Sequence, residues 1–184
     1  LDAPIFVLDS FSSDNTLSVC EEYNVSVYQN KFETHSKQWE YALNNLPITT
    51  EWVLGIDADQ ELLPELVGEI KGVLNKKPKA DGFYIKRRNY FMGKWIKHGG
   101  YYPRYLLKLF RKDKVFLDPG ELMDHHFYVE GTTGKLEYDM IENNLKEDLN
   151  FWSQKHIRYA ALQATEEFNS TATNNGSFWG NPDD

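Results

Sequence analysis

Apolar positions along this chain change period several times, and each change marks an element. Ile5-Phe6-Val7-Leu8 is a continuous apolar run ending at Asp9, the pattern of a strand covered on both faces. The capping-rich stretch from Ser10 to Asn15 leads into a helix predicted over about Thr16–Tyr23, and Val25–Tyr28 reads as a second strand. Strand, helix and strand in that order build a parallel unit. A longer helix is predicted from about His35 to Leu46, with Trp39, Ala42, Leu43 and Leu46 on its core stripe and Pro47 ending it. Trp52 to Ile56 is an apolar run too short for a lone helix, so it predicts a strand that runs into Asp57 and Asp59. Pro64 suits the first turn of a further helix, whose Leu66, Val67, Ile70, Val73 and Leu74 share one face.

Past the solvated turn Lys76–Lys79 the pattern loosens. Gly82–Arg88 predicts a strand, and Leu106–Phe110 another. Between them Asn89–Tyr105 is aromatic, glycine-bearing and irregular, which predicts a long loop. Val129–Leu136 reads as a hairpin about Gly131 and Gly134. An amphipathic helix carrying Trp152, Tyr159, Ala160 and Ala164 is predicted from about Leu149 to Phe168. The expected organisation is one domain over 1–168. Its parts are a first half at 4–80, a second half at 81–145, and a closing helix at 146–168. A polar tail at 169–184 follows.

Composition narrows the function classes. The chain has 184 residues, enough for one domain with a real core. Its net charge of -8 argues against a nucleic-acid binder driven by phosphate neutralisation. One cysteine, Cys20, excludes an internal disulfide and fits a reducing compartment. No apolar run is long enough to span a bilayer, and no signal peptide is visible. The Asn-x-Ser/Thr triplets at Asn24, Asn169 and Asn175 are read as chance. The chain opens without methionine, almost directly into a strand, and closes on a Gly/Asn-rich stretch. The expectation is a piece of a longer chain.

Candidate chemistry starts at Asp57 and Asp59. Two acids two residues apart point the same way if the chain stays extended, and such a pair can bracket a hard cation that leaves positions open for a phosphate-bearing ligand. Ligands in open α/β sheets sit outside the carboxyl ends of the strands, so this is where a site belongs. Equally, acids often follow strands as turn formers or caps. Asp9 ends its own strand on the same rim. Asp14 reads first as a helix cap, while Lys37 and Gln38 lie off the core stripe near a helix start, within reach of a ligand or simply solvated. The rings Tyr90, Phe91, Trp95, Tyr101 and Tyr102, with His98, suit either a sugar platform or a small satellite core. Glu121, Asp124, His125 and His126 cluster acid with imidazole; Asp124 can serve as a general base, and either histidine can bind metal or phosphate. Neighbours on a strand point opposite ways, so at most one of those histidines shares a face with a given partner.

Taken in order, Asp9–Thr16, Phe32–Leu43, Glu51–Glu61, Trp95–Pro103, Leu107–Arg111 and Asp124–His126 resemble the family 2 glycosyltransferases. Within that family they resemble a bacterial branch acting in lipopolysaccharide-core, capsule or exopolysaccharide synthesis. The resemblance runs from residue 4 to about residue 168. It implies an α/β fold of the GT-A type: a Rossmann-like α/β/α sandwich with a mostly parallel central sheet, an aromatic-rich acceptor side and a C-terminal helix. It also implies an inverting transfer from a nucleotide-diphosphate sugar, most simply a UDP-sugar, to a glycan or lipid-linked acceptor. By the family's pattern Asp9 contacts the base and Asp57 lies nearer the ribose, and Asp14, Lys37 and Gln38 are expected with them around the nucleotide. Asp59, with Asp57 and His126, holds Mg²⁺ or Mn²⁺. Trp95, His98, Tyr101 and Tyr102 meet the acceptor, and Asp124 is the base. The family's first strand has no counterpart before Ile5. Many members of this branch show His-Glu where Asp124-His125 stands, which keeps His125 and Glu121 as alternatives for the base. The location implied is the cytoplasm, at the inner face of the membrane, with peripheral association through further C-terminal sequence. A sugar-nucleotidyltransferase, and a non-catalytic nucleotide- or sugar-binding domain of the same fold, are the other readings.

Overall fold

The computed structural model describes residues 3–143 and 148–173. In chain order its elements are β1 (Phe6–Asp9), α1 (Thr16–Glu22), β2 (Ser26–Gln29), α2 (His35–Asn45), β3 (Trp52–Leu54), β4 (Gln60–Leu62) and α3 (Pro64–Asn75). There follow β5 (Gly82–Phe91), β6 (Lys94–Trp95), β7 (Arg104–Arg111), β8 (Val115–Leu117), β9 (Phe127–Val129), β10 (Thr133–Asn143) and α4 (Leu149–Thr173). The start of the closing helix expected at residue 146, the Asn175 triplet and the tail from residue 174 lie outside the described residues.

The predicted strand–helix–strand unit is present: β1 and β2 pair in parallel, Phe6 to Ser26 through Asp9 to Gln29. The larger sheet runs in the order β3-β7-β5-β10-β4, with β6 added beside β5. Here the expectation of a mostly parallel sheet is corrected. Only β5 with β10 is parallel in it; β3–β7, β5–β7, β5–β6 and β4–β10 are antiparallel. The reason is connectivity. Past residue 82 no helix separates β5 from β7, so the chain returns as adjacent antiparallel strands rather than crossing over.

Three other expectations change. The irregular stretch after Arg88 is in part a hairpin: β5 continues to Phe91, turns at Met92 and Gly93, both at positive φ, and returns as β6. The Val129–Leu136 hairpin does not form. β9 instead pairs antiparallel with β8, while β10 leaves to join β5. Gly131 sits against the Asp81 carboxylate, where a Cβ would lie 2.1 Å from Oδ2. The chain also does not stay extended after β3, because the Gln60 N–H donates to the Asp57 carbonyl at 3.0 Å and closes a turn into β4.

The helices pack on opposite faces of this sheet. Leu66 and Ile70 of α3, one turn apart, are buried with Phe83, Ile85, Leu109, Leu136 and Met140. On the other face Leu43 of α2 packs with Leu107, Phe110 and Phe127, and Trp39 and Tyr84 lie against them. Each such fully buried side chain contributes about 1.5–3 kcal/mol relative to exposure. Strand β3 therefore ends between two cores, at Gly55. Its N–H donates to the Lys108 carbonyl at 2.8 Å. A Cβ at Gly55 would meet the Phe127 ring at 2.9 Å.

That contact yields a stability prediction. Gly55→Ala must displace a ring wedged among Trp39, Phe110 and His125. It should cost about 1–3 kcal/mol in urea unfolding, as overpacked cores do. It should also shift the His125 imidazole resonances, whereas Gly68→Ala in α3, where a Cβ meets nothing within 4 Å, should be neutral or stabilising.

Candidate active site

The site forms where β3 stops. β7 pairs with β3 through Leu54 and Leu109, so the next β7 residue back, Lys108, lies beside the end of β3. Its side chain is only 4% exposed, and its Nζ bonds Asp57 Oδ2 at 2.8 Å. An ammonium buried in a strand needs such a partner, and the turn after Gly55 aims Asp57 back at it. Asp57 also donates its N–H to Gln60 Oε1, and Gln60 Nε2 reaches Glu142, which Arg87 clamps at 2.8 Å.

The second wall comes from α2 and from the segment before β9. Thr34 caps α2 by accepting the Lys37 N–H. This places His35 on the first turn, where its ring stacks against His125 at 5.8 Å, with Trp39 beside them. His125 is buried; its Nε2 is 4.0 Å from Asp57 Oδ1, and its Nδ1 is 3.5 Å from Asp124 Oδ1. Alternation holds through this stretch. His125 and Phe127 point inward, while His126 and Tyr128 point to Glu121, which accepts from the His126 N–H, the His126 ring and the Tyr128 hydroxyl.

The charges follow from these contacts. Burial raises the Asp59 pKa, and Glu142 and Asp57 raise it further; no cation lies within ion-pair distance of it among the described residues. Burial also lowers the His35 pKa, with His125 adding to the effect. For Asp124 burial works upward, but His125 and His126 outweigh it and hold the carboxyl well below its usual range. Its bond to Glu121 raises His126.

The expected site residues separate into groups. Asp57 and Asp124 are brought together around His125. Asp59 lies in the same turn as Asp57, and both Glu142 and Asp57 bear on its charge. His126 is a correction: it belongs to Glu121, and His125 is the imidazole at Asp57. Asp9 is buried, and both its oxygens are occupied, by Ser12 and by Gln29 Nε2 at 2.9 Å. It builds the turn after β1. Asp14 caps the start of α1 through the Thr16 N–H and hydroxyl. Lys37 pairs with Glu33 on an exposed face. Gln38 bridges Asn30 and the Ser10 hydroxyl, tying α2 to the ends of β1 and β2. Among the acceptor-side residues Trp95 and Tyr102 pack edge to face at 5.0 Å, and Tyr102 bonds the buried Asp139. Those two form a satellite core, while His98 and Tyr101 are exposed.

Lys108 and His35 were not among the candidates. Lys108 had a signal, a lone charge inside Leu106–Phe110. His35 had none, because its role depends on α2 docking beside β9.

Fit to a metal ion can be tested on these residues. No group of three or more His, Cys, Asp or Glu that could hold one exists among the described residues. The expected set of Asp59, Asp57 and His126 is not gathered. Asp59 alone presents a desolvated, uncompensated carboxylate, so protein donors would supply only part of a coordination shell.

Two measurements check this electrostatic reading. Lys108→Met strands Asp57 beside an apolar side chain and should cost about 2 kcal/mol, most of it recovered by adding Asp57→Asn. In proton NMR, His126 should titrate above, and His35 below, the ordinary value of about 6.5. The His126 contribution to stability is full below that value and is lost as pH rises through its folded pKa. The His35 contribution is full above about 6.5 and is lost as pH falls through its folded pKa. Glu121→Gln should bring His126 back toward 6.5 and leave His35 in place.

The arrangement is an α/β/α layering with an acid-bearing turn at the end of a sheet strand, a placement suited to binding a ligand in the crevice beyond it. Residues 2–129 match the family model described as glycosyl transferase family 2, and every residue in the Asp57–Lys108–His125 cluster falls inside that span. The fold agrees with the GT-A type. The match covers more than half of the 184 residues, and the chain therefore belongs to glycosyl transferase family 2, whose members carry a sugar from a nucleotide-sugar donor to an acceptor.

Proposed function

We propose that this glycosyltransferase takes its sugar from a UDP-sugar. It delivers the sugar, with inversion, to a hydroxyl of a glycan or lipid-linked acceptor during assembly of a bacterial surface polysaccharide. The observation that carries the reading is the convergence of Asp57, Lys108, His35, His125 and Asp124 at the end of β3. The nucleotide end lies along β1, β2 and the start of α2. There Asp9 shapes the Ser10–Ser13 turn and Gln38 fixes it.

In the transfer the acceptor oxygen forms a bond to the anomeric carbon as the bond from that carbon to the diphosphate breaks. The electron pair leaves on the diphosphate, and the acceptor proton passes to Asp124. Asp124 suits that part because its side chain is 54% exposed while its neighbour His125 is buried. His125 and His126 hold its carboxyl well below the usual range, which keeps it ionised but weakens it as a proton acceptor until the acceptor's arrival changes its surroundings. The exposure of Tyr101 and His98 supports a role for them in meeting the acceptor, beside the packed pair Trp95 and Tyr102. Asp59 would be the protein's ligand to a divalent cation, Mg²⁺ or Mn²⁺, which would neutralise charge on the diphosphate. The cytoplasmic location at the inner face of the membrane belongs to the same proposal. The association proposed is peripheral; among the described residues no helix is long and apolar enough to cross a bilayer.

Calorimetry with UDP, GDP and dTDP, in Mn²⁺ and then in EDTA, tests the reading. UDP should bind in Mn²⁺ and lose affinity in EDTA, and Asp59→Ala should weaken binding at least tenfold, about 1.4 kcal/mol. No binding of any nucleotide under either condition would sink the donor site. Binding indifferent to EDTA would remove the cation and leave the rest.

A further inference from the structure

Strand β5 carries a second group of charges. Tyr84 lies against the cluster of Leu107, Phe110 and Phe127, and alternation puts Lys86 and Arg88 on the same face of the strand, farther along. Both reach one acid of β10. Lys86 Nζ lies 3.4 Å from Asp139 Oδ1, and Arg88 Nε donates to Asp139 Oδ2 at 2.6 Å. The Tyr102 hydroxyl donates to the same carboxylate at 3.2 Å. Asp139 is buried, and among the described residues no other carboxylate lies within ion-pair distance of Lys86 or Arg88. Two cations thus share one carboxylate. The group keeps a positive charge in a chain whose net charge is -8.

That excess is held toward solvent. The Arg88 side chain is 32% exposed. Only its Nε is engaged; the two terminal nitrogens of the guanidinium have no hydrogen-bond partner among the described residues. The guanidinium carbon lies 4.8 Å from the centre of the Trp95 ring. Lys97 is exposed and has no ion-pair partner among the described residues, and its ammonium lies 4.5 Å from the same ring. Trp95 meets Tyr102 edge to face, and Tyr102 is tied to Asp139, so ring, guanidinium and carboxylate brace one another. A guanidinium fixed in this way presents a free planar edge, the shape that takes a carboxylate or a phosphate by two hydrogen bonds. Two cations against one ring also repel each other, and a shared anion relieves that repulsion. Lys97 leads directly into His98 and on to Tyr101, the exposed pair on the acceptor side.

We propose that Arg88 and Lys97 form an anion subsite for the acceptor, so that the acceptor is an acidic sugar bearing a phosphate or a carboxylate. Calling the ligand an acceptor rests on the function proposed above; the anion subsite itself does not.

Titrations without nucleotide test it, with glucose, glucose 6-phosphate and glucuronate as probes and the Trp95 indole N–H signal in NMR as the readout. At least one of the two acidic sugars should bind about tenfold tighter than glucose or better, and the tighter of them names the anion. Arg88→Gln should abolish that preference. Arg88→Lys, which keeps the charge and loses the fork, should retain part of it. Lys97→Gln changes an exposed side chain, so it reports even where an Arg88 variant fails to fold; it should reduce the preference about threefold. Equal binding of all three sugars overturns the subsite, and so does a preference unchanged in Lys97→Gln and Arg88→Lys. Inorganic phosphate binding as tightly as glucose 6-phosphate overturns the acidic sugar as the ligand. A preference for acidic sugars in a protein that binds no UDP supports the subsite and counts against the donor reading alone.

Discussion

A lysine ammonium in the middle of a buried strand constrains everything around it. Lys108 is 3% exposed, and its charge has no route to water. Desolvating an ammonium costs several kcal/mol unless a carboxylate meets it, so the chain after β3 must turn and return Asp57 to the sheet. Once it does, Asp57 places its own N–H on Gln60, Gln60 reaches Glu142, and Glu142 holds Arg87. A polar seam then crosses from β7 to β10 and β5 at the end of the sheet. Removing any one member strands the next, which is why an acid loop on a small domain keeps a single geometry.

The sequence made the helices and their core faces plain, because α2 and α3 display their buried residues at helical spacing over at least three turns. Leu66, Ile70, Ala42, Leu43 and Leu46 all went where the periodicity put them. The second half was less legible. β10 carries a register shift between Lys135 and Asp139, so its buried residues Leu136 and Met140 fall four apart and mimic a helix more than an alternating strand. β4 is three residues long, and Gln60, its buried member, is polar. Pairing was out of reach altogether. β3 joins β7 over more than fifty residues of sequence, and nothing local to either strand states the direction.

The site was legible as chemistry rather than as geometry. Acids and imidazoles were recognisable, and alternation allowed only one of His125 and His126 to face a given partner. Which one depends on Phe127, whose ring fits against Gly55 and Phe110. That contact sets the register of the whole stretch, so His125 turns inward and His126 turns to Glu121. The extended Asp-x-Asp pair failed for a similar reason. A single backbone bond, Gln60 N–H to the Asp57 carbonyl, bends the chain, and Asp57 turns to Lys108. Asp9, Asp14 and Lys37, plausible as ligand contacts on residue type alone, turn out to be held by local bonds to Ser12, Thr16 and Glu33.

An acidic protein that accepts an anionic donor must control where its negative charge acts. Here the acids are neutralised one by one: Asp57 by Lys108, Glu142 by Arg87, Glu121 by His126, and Asp139 by Lys86 and Arg88. In the turn after β3, Asp59 is left without such a partner among the described residues. Asp59 is pushed toward protonation by burial and by the acids beside it. A paired carboxylate does little to repel an arriving diphosphate, because its field is cancelled within a few ångströms. An unpaired one repels strongly unless a cation sits between the two. An anion's affinity for the site therefore depends on the local charge balance at Asp59, while the exposed acids that make up the net charge of -8 act through screened solvent.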